Sequence, residues 1–153
     1  MDIGMVGLGK MGLNMALRIS RAGHKIVAYD PDLESRKNVE KEGVLTVSSL
    51  EELVQALKPP RFIWVMVPSG SITEQTIENL AHSLVSGDVV IDGGNSNYKD
   101  SVRRGSYLFK LGIEFLDVGT SGGVWGLENG YSIMVGGDSE TFGKMEPIFK
   151  ALA

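Results

Sequence analysis

Asp2-Ile3-Gly4-Met5-Val6-Gly7-Leu8-Gly9-Lys10-Met11-Gly12 decides how the rest of the chain is read. The apolar stretch Asp2 to Val6 predicts a buried strand, and the 3.6-residue apolar period from Lys10 to Arg21 predicts a helix. Between them lies a G-x-G-x-x-G whose glycines have separate uses. The first permits a tight turn, the second lets a pyrophosphate approach the backbone, and the third lets helix pack closely on strand. The N-terminus of the helix then offers unpaired N–H groups and a positive dipole end to phosphates. A glycine-rich turn without a ligand is the competing reading, and the strand-turn-helix context argues against it.

Outward from this unit the same alternation continues. Gly23 supplies a left-handed stop after the first helix, Lys25 to Tyr29 reads as a strand, and Leu33 to Glu42 as a helix stopped by Gly43. Ser49-Leu50-Glu51-Glu52 has the form of a capping box for a helix from Leu50 to Leu57, which Pro59-Pro60 ends. Phe62 to Val67 is nearly all apolar, as expected of an inner parallel strand buried on both faces. Helix Thr73–Leu84, strand Val89–Asp92, helix Asn97–Leu111 and strand Glu114–Val118 follow. Gly119 to Gly130 reads as a long loop, Tyr131 to Val135 as a strand, and Gly136-Gly137 as a turn. A final helix from Ser139 carries the stripe Phe142, Met145, Ile148, Phe149, Leu152 to the last residues with no stop signal, which suggests a domain continued by further chain. The expected fold class is α/β, doubly wound, with a mainly parallel sheet.

Composition narrows the function. The chain has 153 residues, enough for one domain, with 15 basic against 19 acidic side chains and a net charge of −4, which disfavours binding to nucleic acid or to an anionic membrane surface. With no cysteine and only two histidines, disulfides, a thiolate nucleophile and a metal centre are not expected. The start of the chain shows no export signal and no window approaches a membrane span, so the expected compartment is the cytoplasm. Glycine, at 20 residues, has nearly twice its usual ~7 % share, implying tight turns or close ligand approach.

Candidate ligand contacts gather where strands end. Asp30 closes the second strand 18 residues after Gly12, where a dinucleotide fold places the acid that accepts from the adenosine ribose hydroxyls. Its charge would repel the extra phosphate of NADP, so NAD is the expected cofactor, although Arg36 and Lys37 downstream leave NADP possible. The alternative is a turn-forming Asp before Pro31. Val67-Pro68-Ser69-Gly70 and Asp92-Gly93-Gly94-Asn95-Ser96 end two further strands and are the expected walls of a nicotinamide pocket. Asn95 can donate and accept, which suits a substrate hydroxyl or the cofactor amide. Gly119-Thr120-Ser121-Gly122-Gly123 offers a hydroxyl and several N–H groups to a carboxylate or phosphate. His24 and His82 have no acid or hydroxyl partner by spacing and are not expected to be catalytic. Met15 and Trp64 read as core, Met11 as core or nicotinamide contact, and Trp125 as exposed toward another domain.

On these residues the chain resembles the 6-phosphogluconate dehydrogenases of the β-hydroxyacid dehydrogenase group, in particular their shorter, NAD-preferring branch, over essentially its whole length. Gly7-Leu8-Gly9-Lys10-Met11-Gly12-Leu13-Asn14-Met15 is similar to the signature of the whole group, hydroxyisobutyrate dehydrogenases included. Gly93-Gly94-Asn95-Ser96 discriminates better, since the hydroxyisobutyrate type usually has a Ser/Thr-rich segment there. Longer members carry Ala where Gly9 stands and acidic residues at Val124-Trp125, while NADP-dependent members commonly have an Asn-Arg-Thr type of pattern in place of Asp30.

The resemblance implies a Rossmann-type, three-layer αβα domain with an extra strand and helix at its C-terminal end. It also implies oxidative decarboxylation of 6-phosphogluconate to ribulose 5-phosphate. Cofactor contacts would come from Gly7, Leu8, Gly9, Lys10, Met11, Gly12, Asp30, Val67, Pro68, Ser69 and Asn95, and substrate contacts from Asn95, Ser121, Gly122 and Gly123. The catalytic Lys and Glu, the 6-phosphate site and the helical domain of a homo-oligomer would lie beyond these residues, leaving the fragment alone inactive. A 3-hydroxyisobutyrate-type dehydrogenase domain and a non-catalytic NAD sensor are the alternatives.

Overall fold

A computed structural model describes residues 1–153. Its sheet is built from β1 (Asp2–Val6), β2 (Lys25–Tyr29), β3 (Leu45–Thr46), β4 (Phe62–Val65), β5 (Val89–Asp92), β6 (Glu114–Ser121) and β7 (Ser132–Gly137). The helices are α1 (Lys10–Arg21), α2 (Leu33–Glu40), α3 (Leu50–Gln55), α4 (Ser71–Ser83), α5 (Tyr98–Lys110), α6 (Gly126–Asn129) and α7 (Ser139–Leu152). The strand order is β3-β2-β1-β4-β5-β6-β7, all parallel except β7, which runs antiparallel to β6. The chain reverses its direction of winding between β1 and β4, which makes their carboxyl ends the place for a ligand crevice.

Strand alternation divides the core into two layers. Ile3, Met5, Trp64, Ile91, Leu116 and Val118 face α1 and α7, where they meet Met15, Ile19, Met145, Ile148 and Phe149. Val6, Val27, Ile63, Val65 and Val90 face the opposite way onto Leu53, Ile77, Leu80 and Leu108 of α3, α4 and α5. Trp64 packs edge-on against Phe149 with ring centroids 6.0 Å apart, so it is a core residue as expected. Gly4 leaves room for α3 and the turn after it, since a Cβ there would lie 3.4 Å from Leu53 and 3.1 Å from Leu57.

Four helices are capped by side chains: Asp32, Ser49, Asn97 and Asp138 each accept a hydrogen bond from an N–H of the first turn. The Ser49 cap differs from a capping box, because Glu52 reaches past Ser49 to the N–H of Ser48 (2.9 Å) and its hydroxyl (3.0 Å). α1 and α4 begin instead at Gly9 and Gly70, with no side-chain cap.

The segment expected to be a loop from Gly119 to Gly130 is largely ordered by pairing. β6 runs on to Ser121 because Leu116–Ser121 pair with Ser132–Gly137, and a 3-10 turn (Gly123–Trp125) leads into α6. Gly136 and Gly137, read as a turn, are the last residues of β7; a Cβ on Gly137 would strike Leu116 at 2.5 Å. At the other end of α7, Arg18 of α1 donates to the carbonyls of Leu152 (3.0 Å), Ala153 (2.8 Å) and Leu127 (3.1 Å). The first two carbonyls belong to the last turn of α7, where that of Leu152 also accepts from the Tyr131 N–H, and the third belongs to α6.

Candidate dinucleotide cleft

Three glycines shape the crevice, and the structure separates their uses. Gly7 has φ +98°, and a Cβ on it would lie 2.2 Å from the Met66 carbonyl oxygen. A Cβ on Gly12 would lie 2.0 Å from the Gly7 carbonyl oxygen. Both are therefore demanded by packing of backbone on backbone. Gly9, at φ −63°, has nothing within 4 Å of its would-be Cβ, so no packing requires it to be glycine. What its bareness leaves open is the start of α1. The first amide of this helix to find a partner is that of Leu13, which donates to Gly9 at 2.8 Å. The N–H groups of Lys10, Met11 and Gly12 have no intrahelical acceptor, and the dipole puts partial positive charge there.

Asp30 leaves the end of β2 and grips this loop. Its Oδ2 accepts from the Leu8 N–H and its Oδ1 from the Asp32 N–H, each at 2.8 Å. Each carboxylate oxygen keeps a further acceptor position. Leu8 has its N–H engaged in this way and its side chain buried in the core, so it presents only its carbonyl. Arg36 donates to the Asp30 carbonyl at 3.0 Å and is thereby drawn to the same corner.

Across the switch point lies a cleft of about 290 Å³. It gathers Gly9, Lys10, Met11 and Gly12 with Met66 and Val67 after β4 and Gly93, Gly94 and Asn95 after β5. The two far loops abut, because a Cβ on Gly94 would meet the Val67 carbonyl at 2.9 Å. Pro68 and Ser69 follow Val67 in the chain without lining the cleft, and the Pro68 carbonyl accepts from the Thr73 hydroxyl at 2.8 Å. Asn95 is the one non-glycine residue with positive φ, +55°, and its Oδ1 accepts from the Thr120 N–H at 3.4 Å. That contact brings Asn95 against the end of β6. Ser121 is exposed there, and Gly122 and Gly123 open the 3-10 turn, Gly123 at φ +53°. Of this segment it is Thr120 and Gly119 that stand against Asn95, and Ser121, Gly122 and Gly123 do not line the cleft.

Residues 2–153 match the family model described as the NAD binding domain of 6-phosphogluconate dehydrogenase. The chain belongs to that family. An NAD(+)-dependent, decarboxylating 6-phosphogluconate dehydrogenase of Haloferax volcanii is 39% identical over 153 residues, covering all of this chain and 50% of the relative. Among solved structures, 6-phosphogluconate dehydrogenase of Plasmodium falciparum aligns with TM-score 0.91 and 34% identity, covering 100% of this chain and 34% of that one. A Mycobacterium tuberculosis 3-hydroxyisobutyrate dehydrogenase aligns with TM-score 0.91 and 25% identity, covering 99% of this chain and 52% of its own length. The chain thus spans between a third and about half of the relatives it matches.

In this 6-phosphogluconate dehydrogenase family domain, the sequence reading missed one group that the structure places beneath the cleft. Arg104, 2% exposed, donates to Asp92 (3.3 Å), Ser96 Oγ (3.0 Å), Glu74 (2.7 Å) and the Gly70 carbonyl (3.3 Å). Asp92, fully buried, also accepts from the Ser96 hydroxyl (2.6 Å) and the Gly94 N–H (3.0 Å). Arg104 shares the buried face of α5 with Ser101 and Leu108, but only Leu108 of the three is apolar, so the apolar period of the sequence does not single this arginine out. Hydrogen bonds from Arg103, then Arg104, hold the Glu74 carboxyl below its ordinary range. Asp117, beside Asp92 in the β5–β6 register, is pushed above its ordinary value first by burial and then by the Asp92 charge.

The remaining candidates separate by position. His24 accepts from the N-terminal ammonium at 2.9 Å where β1 and β2 begin, at the opposite end of the sheet from the cleft. Burial, then that ammonium, lower its imidazole below the usual value. Met15 is core, whereas Met11 lines the cleft. Trp125 is 69% exposed. No helix is long and apolar enough to cross a membrane, and no group of three or more His, Cys, Asp or Glu side chains is placed to hold a metal ion.

Proposed function

We propose that this domain is the cofactor half of a decarboxylating 6-phosphogluconate dehydrogenase that prefers NAD to NADP. The observation that carries the reading is the uncapped start of α1, with open space at Gly9, facing Asn95 across the cleft at the carboxyl ends of the parallel strands. A dinucleotide suits these residues. The N–H groups of Lys10, Met11 and Gly12 bind its pyrophosphate, and Asp30, held by Leu8 and Asp32, accepts from the adenosine ribose. Val67, Pro68, Ser69 and Asn95 enclose the nicotinamide. The bound cofactor would supply a hydride acceptor at nicotinamide C4.

Asn95, itself the left-handed residue, would orient the C3 hydroxyl of the sugar acid, and Ser121, Gly122 and Gly123 would hold the carboxylate side. Preference for NAD follows from the Asp30 charge, which a 2′-phosphate would meet directly, and the Haloferax relative is named as NAD(+)-dependent. The base and acid of the later steps, a lysine and a glutamate, and the 6-phosphate site are assigned to a helical domain following this one. The whole protein is assigned to the cytoplasm as a homo-oligomer.

The test is reduction of NAD and of NADP, followed at 340 nm, by the full-length gene product with 6-phosphogluconate and, in parallel, 3-hydroxyisobutyrate. Turnover of the phosphorylated acid with NAD is expected. Turnover of 3-hydroxyisobutyrate alone would reassign the substrate, and binding of NADH without any turnover would make the protein a sensor.

A further inference from the structure

The two loops that wall the far side of the cleft are joined from below by a single side chain. The Arg104 guanidinium reaches the Gly70 carbonyl at the end of one loop and the Ser96 hydroxyl and Asp92 carboxylate of the other, while its Nε is fixed by Glu74 of α4. Only a planar fork with several donors can bond in these directions at once; a lysine ammonium is a single point. Asp92 continues the connection, taking the Gly94 N–H on one oxygen and the Ser96 hydroxyl on the other. Asn95 is therefore held on both sides, at Gly94 and at Ser96, and these attachments keep it at φ +55°. A conformation that L-residues seldom adopt persists where its surroundings over-determine it.

We propose that Arg104 is a positioning residue for the nicotinamide end of the cleft: acting through Asp92, Ser96 and Gly70, it sets the separation of the two loops and aims the Asn95 amide. The inference rests on the cofactor reading above and deepens it. It distinguishes two ends of the cleft, which meet where Gly7 packs on the Met66 backbone. The α1 loop and Asp30, which serve the pyrophosphate and adenosine, share no hydrogen-bond partner with Arg104, so a change at Arg104 should leave that end intact.

The division is read by comparing two ligands on the full-length protein. ADP-ribose carries adenosine and pyrophosphate without nicotinamide; NADH carries all three. Calorimetric titration of wild type, Arg104→Lys and Ser96→Ala is expected to show ADP-ribose affinities within about twofold of one another, with NADH affinity about tenfold weaker in both variants, the size expected for losing charge-assisted hydrogen bonds. Ser96→Ala leaves Arg104 paired with Asp92 and Glu74, so it decides the question if the buried lysine prevents folding. Parallel weakening of both ligands, or unchanged NADH affinity in the folded variants, overturns the proposal. Wild-type protein that binds neither ligand refutes the cofactor reading itself. Wild type that binds ADP-ribose as tightly as NADH refutes only the positioning role, since no nicotinamide contact would exist to be positioned.

Discussion

Replacing Gly12 by alanine is the sharpest test of how the α1 loop is built. The added Cβ would sit 2.0 Å from the Gly7 carbonyl oxygen and 2.9 Å from its carbon. A carbon-to-oxygen contact needs about 3.3 Å, so a gap of roughly 1.3 Å must open. Gly7 cannot yield, because the backbone of Met66 lies directly behind it, 2.2 Å from its own would-be Cβ. The strain must be relieved by lifting the first turn of α1, and with it the packing of Met15, Ala16 and Ile19, all fully buried. Overpacking of this kind costs about 2–3 kcal/mol. For a chain of this size each kcal/mol lowers Tm by about 2–4 °C, so Gly12→Ala should melt roughly 4–12 °C below wild type by circular dichroism. Gly9→Ala is the matched control. It meets open space at φ −63°, so its Tm should stay within about 2 °C of wild type and any loss should appear only in dinucleotide affinity. Equal melting temperatures for Gly12→Ala and wild type, or an equal fall in both variants, would refute the division of labour among the glycines.

Two further outcomes test the charges. Asp30→Asn keeps the shape and an acceptor for the Leu8 N–H while removing the charge, so the ratio of NADP to NAD affinity should rise by about tenfold in competitive titration; an unchanged ratio would mean that Asp30 is only a strut for the loop. Asp117 has its carboxyl raised in the fold, so its ionised form is disfavoured there relative to the unfolded chain. That penalty is present at neutral pH and fades as pH falls toward the ordinary value of 3.8. Asp117→Asn should therefore raise Tm at pH 7 and lose that advantage in acid, and a variant less stable than wild type at pH 7 would contradict the assigned environment.

Much of this was legible because it is local. The limits of β1, α1, β2 and β5 follow from apolar period and from glycine stops, both of which act within a few residues. The glycine-rich fingerprint fixed where the cleft would lie, since strand, turn and helix are contiguous in the chain. What escaped depends on partners distant in sequence. The continuation of β6 to Ser121 requires β7 alongside it, and nothing in a glycine-rich stretch announces that pairing. Arg104 is an ordinary helix cation until α4 and the β5 end close over it, 30 and 12 residues away. The bond from Asp30 to Leu8 likewise joins two motifs that were each recognised separately, and only the fold shows that one braces the other.

Arg18 gives the domain a mechanical property. α1 is a rod of about 18 Å whose first turn faces the cleft and whose far part, through Arg18, grips the last carbonyls of α7. The two ends cannot tilt independently. A displacement of the first turn of α1 would be felt at the end of α7 through the Arg18 bonds to Leu152 and Ala153. The crevice and the end of α7 thus hang on one beam, the first at its Gly9 end and the second at Arg18.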